Sequence, residues 1–145
     1  MESILVSACL LGECCRYDGK GKKNDGICRL AENPQLCLIP VCPEQLGGLP
    51  TPRPPAERVG DRVRNSRGED VTAAFERGAR RTLEIALQNG CTTAVLKERS
   101  PSCGSGEIYD GSFSGRLTAG DGITAQLLKE NGITVFGESQ YAPKE

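Results

Sequence analysis

Histidine is absent from this chain of 145 residues. That absence removes mixed cysteine–histidine zinc sites, Ser-His-Asp triads, Cys-His dyads, histidine-ligated haem and histidine-based non-haem iron together. Tryptophan is absent too, and aromatic residues make up only 4% of the chain, so a core has to be built from Leu, Ile, Val and Ala. No excess of positive charge is present. Eighteen Lys and Arg against 19 Asp and Glu leave a net charge of −1, which offers nucleic acid no electrostatic footing. No apolar run approaches the roughly 20 residues of a membrane span. Met1-Glu2-Ser3 begins acidic and runs directly into Ile4-Leu5-Val6, unlike the basic and then long apolar start of a secretory leader. The expectation is one cytoplasmic domain over residues 1–145, with neither nucleic acid nor membrane as partner.

Cysteine, by contrast, is plentiful, with eight in the chain. In a reducing compartment such a density points to metal ligation or redox thiols rather than disulfides. Without imidazole, a metal must be held by thiolates, carboxylates or a substrate, and thiolate-only ligation favours zinc or an iron–sulfur cluster.

Four short apolar runs read as strands: Ile4 to Cys9, Leu36 to Cys42, Thr92 to Leu96 and Ile133 to Phe136. Helical patterning falls over Gly26 to Glu32, from Val71 to Asn89-Gly90 with Thr72 as its cap, and over Gly120 to Asn131. Glu57 to Arg64, turning at Gly60-Asp61, predicts a small hairpin, followed by a turn at Asn65 to Gly68. The proline-rich residues 47–56 predict a stiff, extended path. Apolar strands alternating with helices imply an α/β fold: a single three-layer, Rossmann-like domain with a mostly parallel sheet and a small hairpin insertion.

On this scheme Cys9 ends the first strand, Cys42 ends the second and Cys103 lies in the loop leaving the third. Open α/β sheets bind ligands at the carboxyl ends of their strands, so three independent strand ends each deliver one thiol to that edge. Pro43-Glu44 follows Cys42 with a turn and a carboxylate, and Ser100-Pro101-Ser102 precedes Cys103 with hydroxyls and small residues. Such a loop can donate hydrogen bonds to cluster sulfurs or to an anion. Cys37 and Cys91 read as buried small hydrophobes, and Cys28 as a packing residue on a short helix. The adjacent Cys14-Cys15 stays open between loop packing and a ligand or redox role. A phosphatase loop fails, because the residue six after Cys9 is Cys15 and not Arg, and no G-x-G-x-x-G opens a helix. The arginines of residues 53–67 read as a solvated face, except Arg53, which prolines hold rigidly.

Several stretches together resemble a family of small bacterial proteins, the thiouracil desulfidases, formerly a domain of unknown function. They are Ser7-Ala8-Cys9-Leu10-Leu11-Gly12, Cys15-Arg16-Tyr17-Asp18-Gly19, Pro40-Val41-Cys42-Pro43-Glu44, Pro52-Arg53-Pro54-Pro55 and Leu96 to Gly104. Tyr109-Asp110-Gly111, Phe113-Ser114-Gly115 and Gly122-Ile123-Thr124-Ala125 extend the likeness over nearly the whole chain. The resemblance implies a [4Fe–4S] cluster on Cys9, Cys42 and Cys103 with one iron open, catalytic roles for Glu44 and Ser100, and a small thiolated nucleobase as substrate. Ser102 and Arg53 are further candidates for substrate contact. The chemistry that follows is hydrolysis of a carbon–sulfur bond without net electron transfer, with Glu44 as the acid–base group. The rival expectations are a non-catalytic or redox iron–sulfur protein with Cys14 or Cys15 as fourth ligand, and a four-cysteine zinc module.

Overall fold

The computed structural model describes residues 2–141; Met1, used in the leader reading above, and residues 142–145, the end of the expected domain, lie outside the described residues. In chain order the elements are β1 (Glu2–Ser7), a 3-10 turn (Ala8–Leu11), α1 (Asp25–Leu30), β2 (Leu36–Val41), α2 (Pro43–Leu46), β3 (Ala56–Val59) and β4 (Arg62–Asn65). They continue with α3 (Thr72–Gln88), β5 (Thr93–Leu96), β6 (Glu107–Tyr109), β7 (Leu117–Ala119), α4 (Ile123–Glu130) and β8 (Thr134–Gly137).

Four strands form one parallel sheet in the order β2-β1-β5-β8. In β1, one of the two inner strands, Ile4, Leu5 and Val6 are wholly buried. Their alternation splits the core into two layers. Leu5 packs with Ala94, Leu96, Ala86 and Leu128 under α3 and α4, whereas Ile4 and Val6 pack with Leu10, Ile27 and Leu30 under α1 and the 3-10 turn. The three-layer α/β expectation is met. Each fully buried aliphatic side chain of this kind contributes about 2 kcal/mol.

The structure departs from the sequence expectation in three places. Thr72 is the first residue of α3 and not its cap: its hydroxyl accepts the Val63 N–H at 2.8 Å, fastening the β3–β4 hairpin to the helix. Asp70 takes the Thr72 N–H instead, at 2.9 Å. Those Thr72 hydrogen bonds, with the Arg62 guanidinium, lower the Asp70 carboxyl to about 2. Pro43 stops β2 as expected but also opens α2, where its missing N–H costs nothing. Residues 107–119, which carry no period in the sequence, form the antiparallel hairpin β6–β7. Its strands have three residues each, too short to show alternation, and all of β7 is exposed.

Helices α2 and α3 meet backbone to backbone. A Cβ on Gly78 would lie 1.9 Å from the Pro43 carbonyl oxygen, and one on Gly47 would lie 2.0 Å from that of Ala74. This contact sets where α2, and the residues around it, sit at the edge of the sheet.

Candidate active site

The carboxyl ends of β1, β2 and β5 open on a cavity of about 640 Å³. Cys9, Cys42, Cys103, Glu44, Ser100 and Arg53 all line it, together with Cys15. Cys9 sits in the 3-10 turn, two residues beyond the end of β1, rather than on the strand end expected for it. Its carbonyl accepts N–H groups from Gly12 and Lys22, at 3.1 and 2.9 Å, which anchors the following loop. Cys42 is the residue before α2, so the same turn that ends the strand aims its thiol and the next residue but one, Glu44, into the cavity.

Cys103 is positioned by its loop. The Ser100 hydroxyl accepts the N–H groups of Ser102 and Cys103, both at 3.1 Å, and the Ser100 carbonyl accepts that of Gly104 at 2.9 Å. The first N–H groups of α4 bond to this turn: Ile123 to the Pro101 carbonyl at 2.9 Å and Thr124 to that of Ser102 at 2.8 Å. Gly122 permits the approach, since a Cβ there would lie 2.4 Å from the Ser102 backbone. With both lone pairs of its hydroxyl taken, Ser100 has a hydrogen left to donate into the cavity. Ser102 is buried, lies outside the cavity lining and shares its hydroxyl with Thr124 at 2.7 Å. It supports the loop, while Ser100 faces the space.

Three of the cavity's thiols, those of Cys15, Cys42 and Cys103, are raised by their surroundings. Burial pushes Cys103 up to about 12. The neighbouring Cys15 thiol, and then burial, push Cys42 up further. For Cys15 the contact with Cys42 lowers the value, but contact with Cys9 and burial outweigh it and raise Cys15 to about 11. Cys14 is exposed and does not line the cavity. Cys91 is buried, Cys37 is half-buried on the edge strand, and Cys28 donates to the Leu10 carbonyl at 3.7 Å.

Arg53 is buried, as the rigid proline setting implied, but its guanidinium is largely committed to the protein. Nη2 donates to Glu44 Oε2 at 2.7 Å and to the Cys15 carbonyl at 2.9 Å, and Nη1 donates to the Pro50 carbonyl and Thr51 Oγ1. Only Nε is without a partner among the described residues. One carboxylate oxygen of Glu44 is therefore pinned. Oε1 is left free among the described hydrogen bonds, in a side chain only 19% exposed.

Sequence reasoning missed much of the wall. Of three Tyr and three Phe in the chain, Tyr17, Tyr109 and Phe113 line this one cavity, a concentration invisible in linear order. Arg99 and Phe113 also line it with φ of 66° and 56°, a left-handed backbone that bulky residues hold only where the surroundings impose it. The carboxylate of Glu57 imposes it at Phe113, accepting the N–H groups of Gly111 and Phe113 at 2.9 and 3.1 Å.

Among the described residues, no three cysteine, aspartate or glutamate side chains stand close enough to hold one metal ion. A single zinc would need sulfurs about 4 Å apart. Thiols set around a wide cavity would suit a larger group such as a four-iron cluster, whose thiolates bind separate irons and need not meet at one ion. The donor set, all thiols with no imidazole, is what such a cluster uses, so the residues present fit it.

An α/β sheet whose strand ends present several thiols, an arginine-held carboxylate and aromatic walls defines a small-molecule enzyme site. The comparisons with known proteins agree. Residues 4–140 match the family described as 2-thiouracil desulfurase, and the chain belongs to that family: it is a desulfidase. It is 50% identical to a solved [4Fe-4S]-dependent thiouracil desulfidase, TudS, over 96% of this chain and 92% of that one, with a TM-score of 0.89. It is also 42% identical to the uncharacterized protein YbbK of Bacillus subtilis (strain 168), over 94% of this chain and 96% of that protein. No helix among the described residues is long and apolar enough to cross a membrane.

Proposed function

We propose that this desulfidase hydrolyses the carbon–sulfur bond of a thiolated pyrimidine such as 2-thiouracil, releasing the oxo base and sulfide with no net electron transfer. The observation that carries the reading is the sharing of one cavity by Cys9, Cys42, Cys103, Glu44 and Ser100. Cys9, Cys42 and Cys103 would hold a [4Fe–4S] cluster, which supplies a soft Lewis acid with one iron free for a thiocarbonyl sulfur. The atoms balance: water adds its oxygen to the ring carbon, and sulfur leaves as hydrogen sulfide.

The chain's own residues do the rest. Glu44 Oε1 takes the proton of the attacking water while Arg53 holds Oε2 still. The Ser100 hydroxyl donates to the ring's carbonyl or nitrogen and fixes which carbon faces Glu44. Tyr17, Tyr109 and Phe113 offer flat apolar surface to a planar base.

The test is anaerobic holoprotein given 2-thiouracil without any electron donor. The expected result is uracil and sulfide in equal amounts. Intact cluster with no sulfide would overturn the substrate, and a requirement for a reductant would overturn the non-redox step. Phe113→Ala is expected to raise KM about 5- to 100-fold, the worth of one aromatic stack, and to leave kcat nearly unchanged. Steady-state kinetics check this, and an unchanged KM would take Phe113 out of the substrate contact.

A further inference from the structure

We infer that Cys15 is a reserve partner for Cys42: in the chain without its cluster, a peroxide joins the two thiols in a reversible disulfide that preserves Cys42 for reloading. The inference borrows from the proposed function only that Cys42 is a cluster ligand.

Cys14 and Cys15 are neighbours with opposite fates. Cys14 is exposed, while Cys15 is 4% exposed and lines the cavity. Cys15 has no part in the proposed reaction, yet it lines the same cavity as Cys42 and its thiol lies beside that of Cys42. The Cys42 sulfur also lies 3.6 Å from the Cys15 carbonyl oxygen, so it rests against the backbone of residue 15. That backbone is not loose, because the same carbonyl accepts Arg53 Nη2 at 2.9 Å. The pair is thus held together by the fold, 27 residues apart in sequence. Cys9 also touches Cys15, but the carbonyl contact favours Cys42.

The chemistry needs only a hydroperoxide. One thiol sulfur attacks the peroxide oxygen as its proton passes to the departing oxygen; the O–O bond breaks, giving a sulfenic acid and water. The second thiol attacks the sulfenic sulfur, the S–S bond forms and a second water leaves. Two thiols and hydrogen peroxide give one disulfide and two waters, and a thiol reductant reverses the outcome. A lone Cys42 would instead climb from sulfenic to sulfinic acid, which a thiol does not reduce.

The test uses iron-free full-length protein treated with hydrogen peroxide, then digested and fragmented in a mass spectrometer. The expected product is a bond between Cys15 and Cys42, retained in Cys14→Ser and missing in Cys15→Ser, where Cys42 carries added oxygen. After thiol reduction and reloading with iron and sulfide, the wild type should regain the iron per chain of an unoxidised control. Cys15→Ser should regain less than half. The inference is overturned if the wild type forms no such bond, if Cys15 bonds to Cys9 instead, or if oxidised Cys15→Ser reloads as fully as the wild type. Unoxidised Cys15→Ser should load normally. Failure to load would make Cys15 a ligand and overturn the three-ligand reading, while the bond mapped in the wild type still decides the inference.

Discussion

Glu44→Gln is expected to keep its iron and to lose kcat by about 10²- to 10⁴-fold, the usual worth of a placed general base. The choice of glutamine matters because Arg53 is only 4% exposed and leans on this side chain. An amide oxygen still accepts the Nη2 hydrogen bond, so the site keeps its shape while the proton acceptor is gone. Glu44→Ala removes both, and leaves a buried guanidinium without its carboxylate, a loss of about 3–5 kcal/mol when such pairs are broken. The two variants therefore separate chemistry from scaffolding. Glu44→Gln should melt near the wild type and be inactive; Glu44→Ala should be inactive and melt early. Iron content, thermal denaturation and sulfide release measure all three quantities. Turnover close to the wild type in Glu44→Gln would remove the carboxylate from the proton path.

Gly78→Ala should destabilise the protein although alanine is the better helix former. In the interior of α3 the exchange gains about 1 kcal/mol of helix propensity. The new methyl, however, would stand 1.9 Å from the Pro43 carbonyl oxygen, against backbone that has no rotamer to change. Overpacking of this severity costs about 3 kcal/mol, so the clash prevails by about 2 kcal/mol. For a chain of this size that lowers Tm by about 4–8 °C. The clash falls on the first residue of α2, between Cys42 and Glu44, so desulfidation should fall more than stability alone accounts for. A Gly78→Ala protein as stable as the wild type would show that the two helices are not in backbone contact.

The sheet was legible because its two inner strands, β1 and β5, are short apolar runs buried on both faces, and β1 pairs in parallel with β2 and with β5 as the alternation of strand and helix implies. That Cys9, Cys42 and Cys103 share one cavity was legible for a related reason: parallel strands end at one edge whatever their separation in sequence. What the sequence hid is contact made by chain folding back. The Arg53–Glu44 pair spans nine residues, the Glu57 clamp on Phe113 spans 56, and the Ser102–Thr124 hydroxyl pair spans 22, with no local pattern announcing any of them. Ser100 was named through the family resemblance, and its grip on two backbone N–H groups shows only in the folded chain. Thr72 misled because a threonine ahead of a helical run suits a cap, and only the hairpin packed beside it shows where the hydroxyl is used.

The cavity draws its wall from residues as far apart as Ser7 and Gly115. Translation delivers these in order, and Cys9 and Cys42 leave the ribosome long before Cys103 and the α4 turn that braces it. A nascent chain holds an incomplete set of thiols throughout most of its synthesis. On the proposed three-cysteine ligation, cofactor delivery would consequently be a late event, acting on a finished sheet.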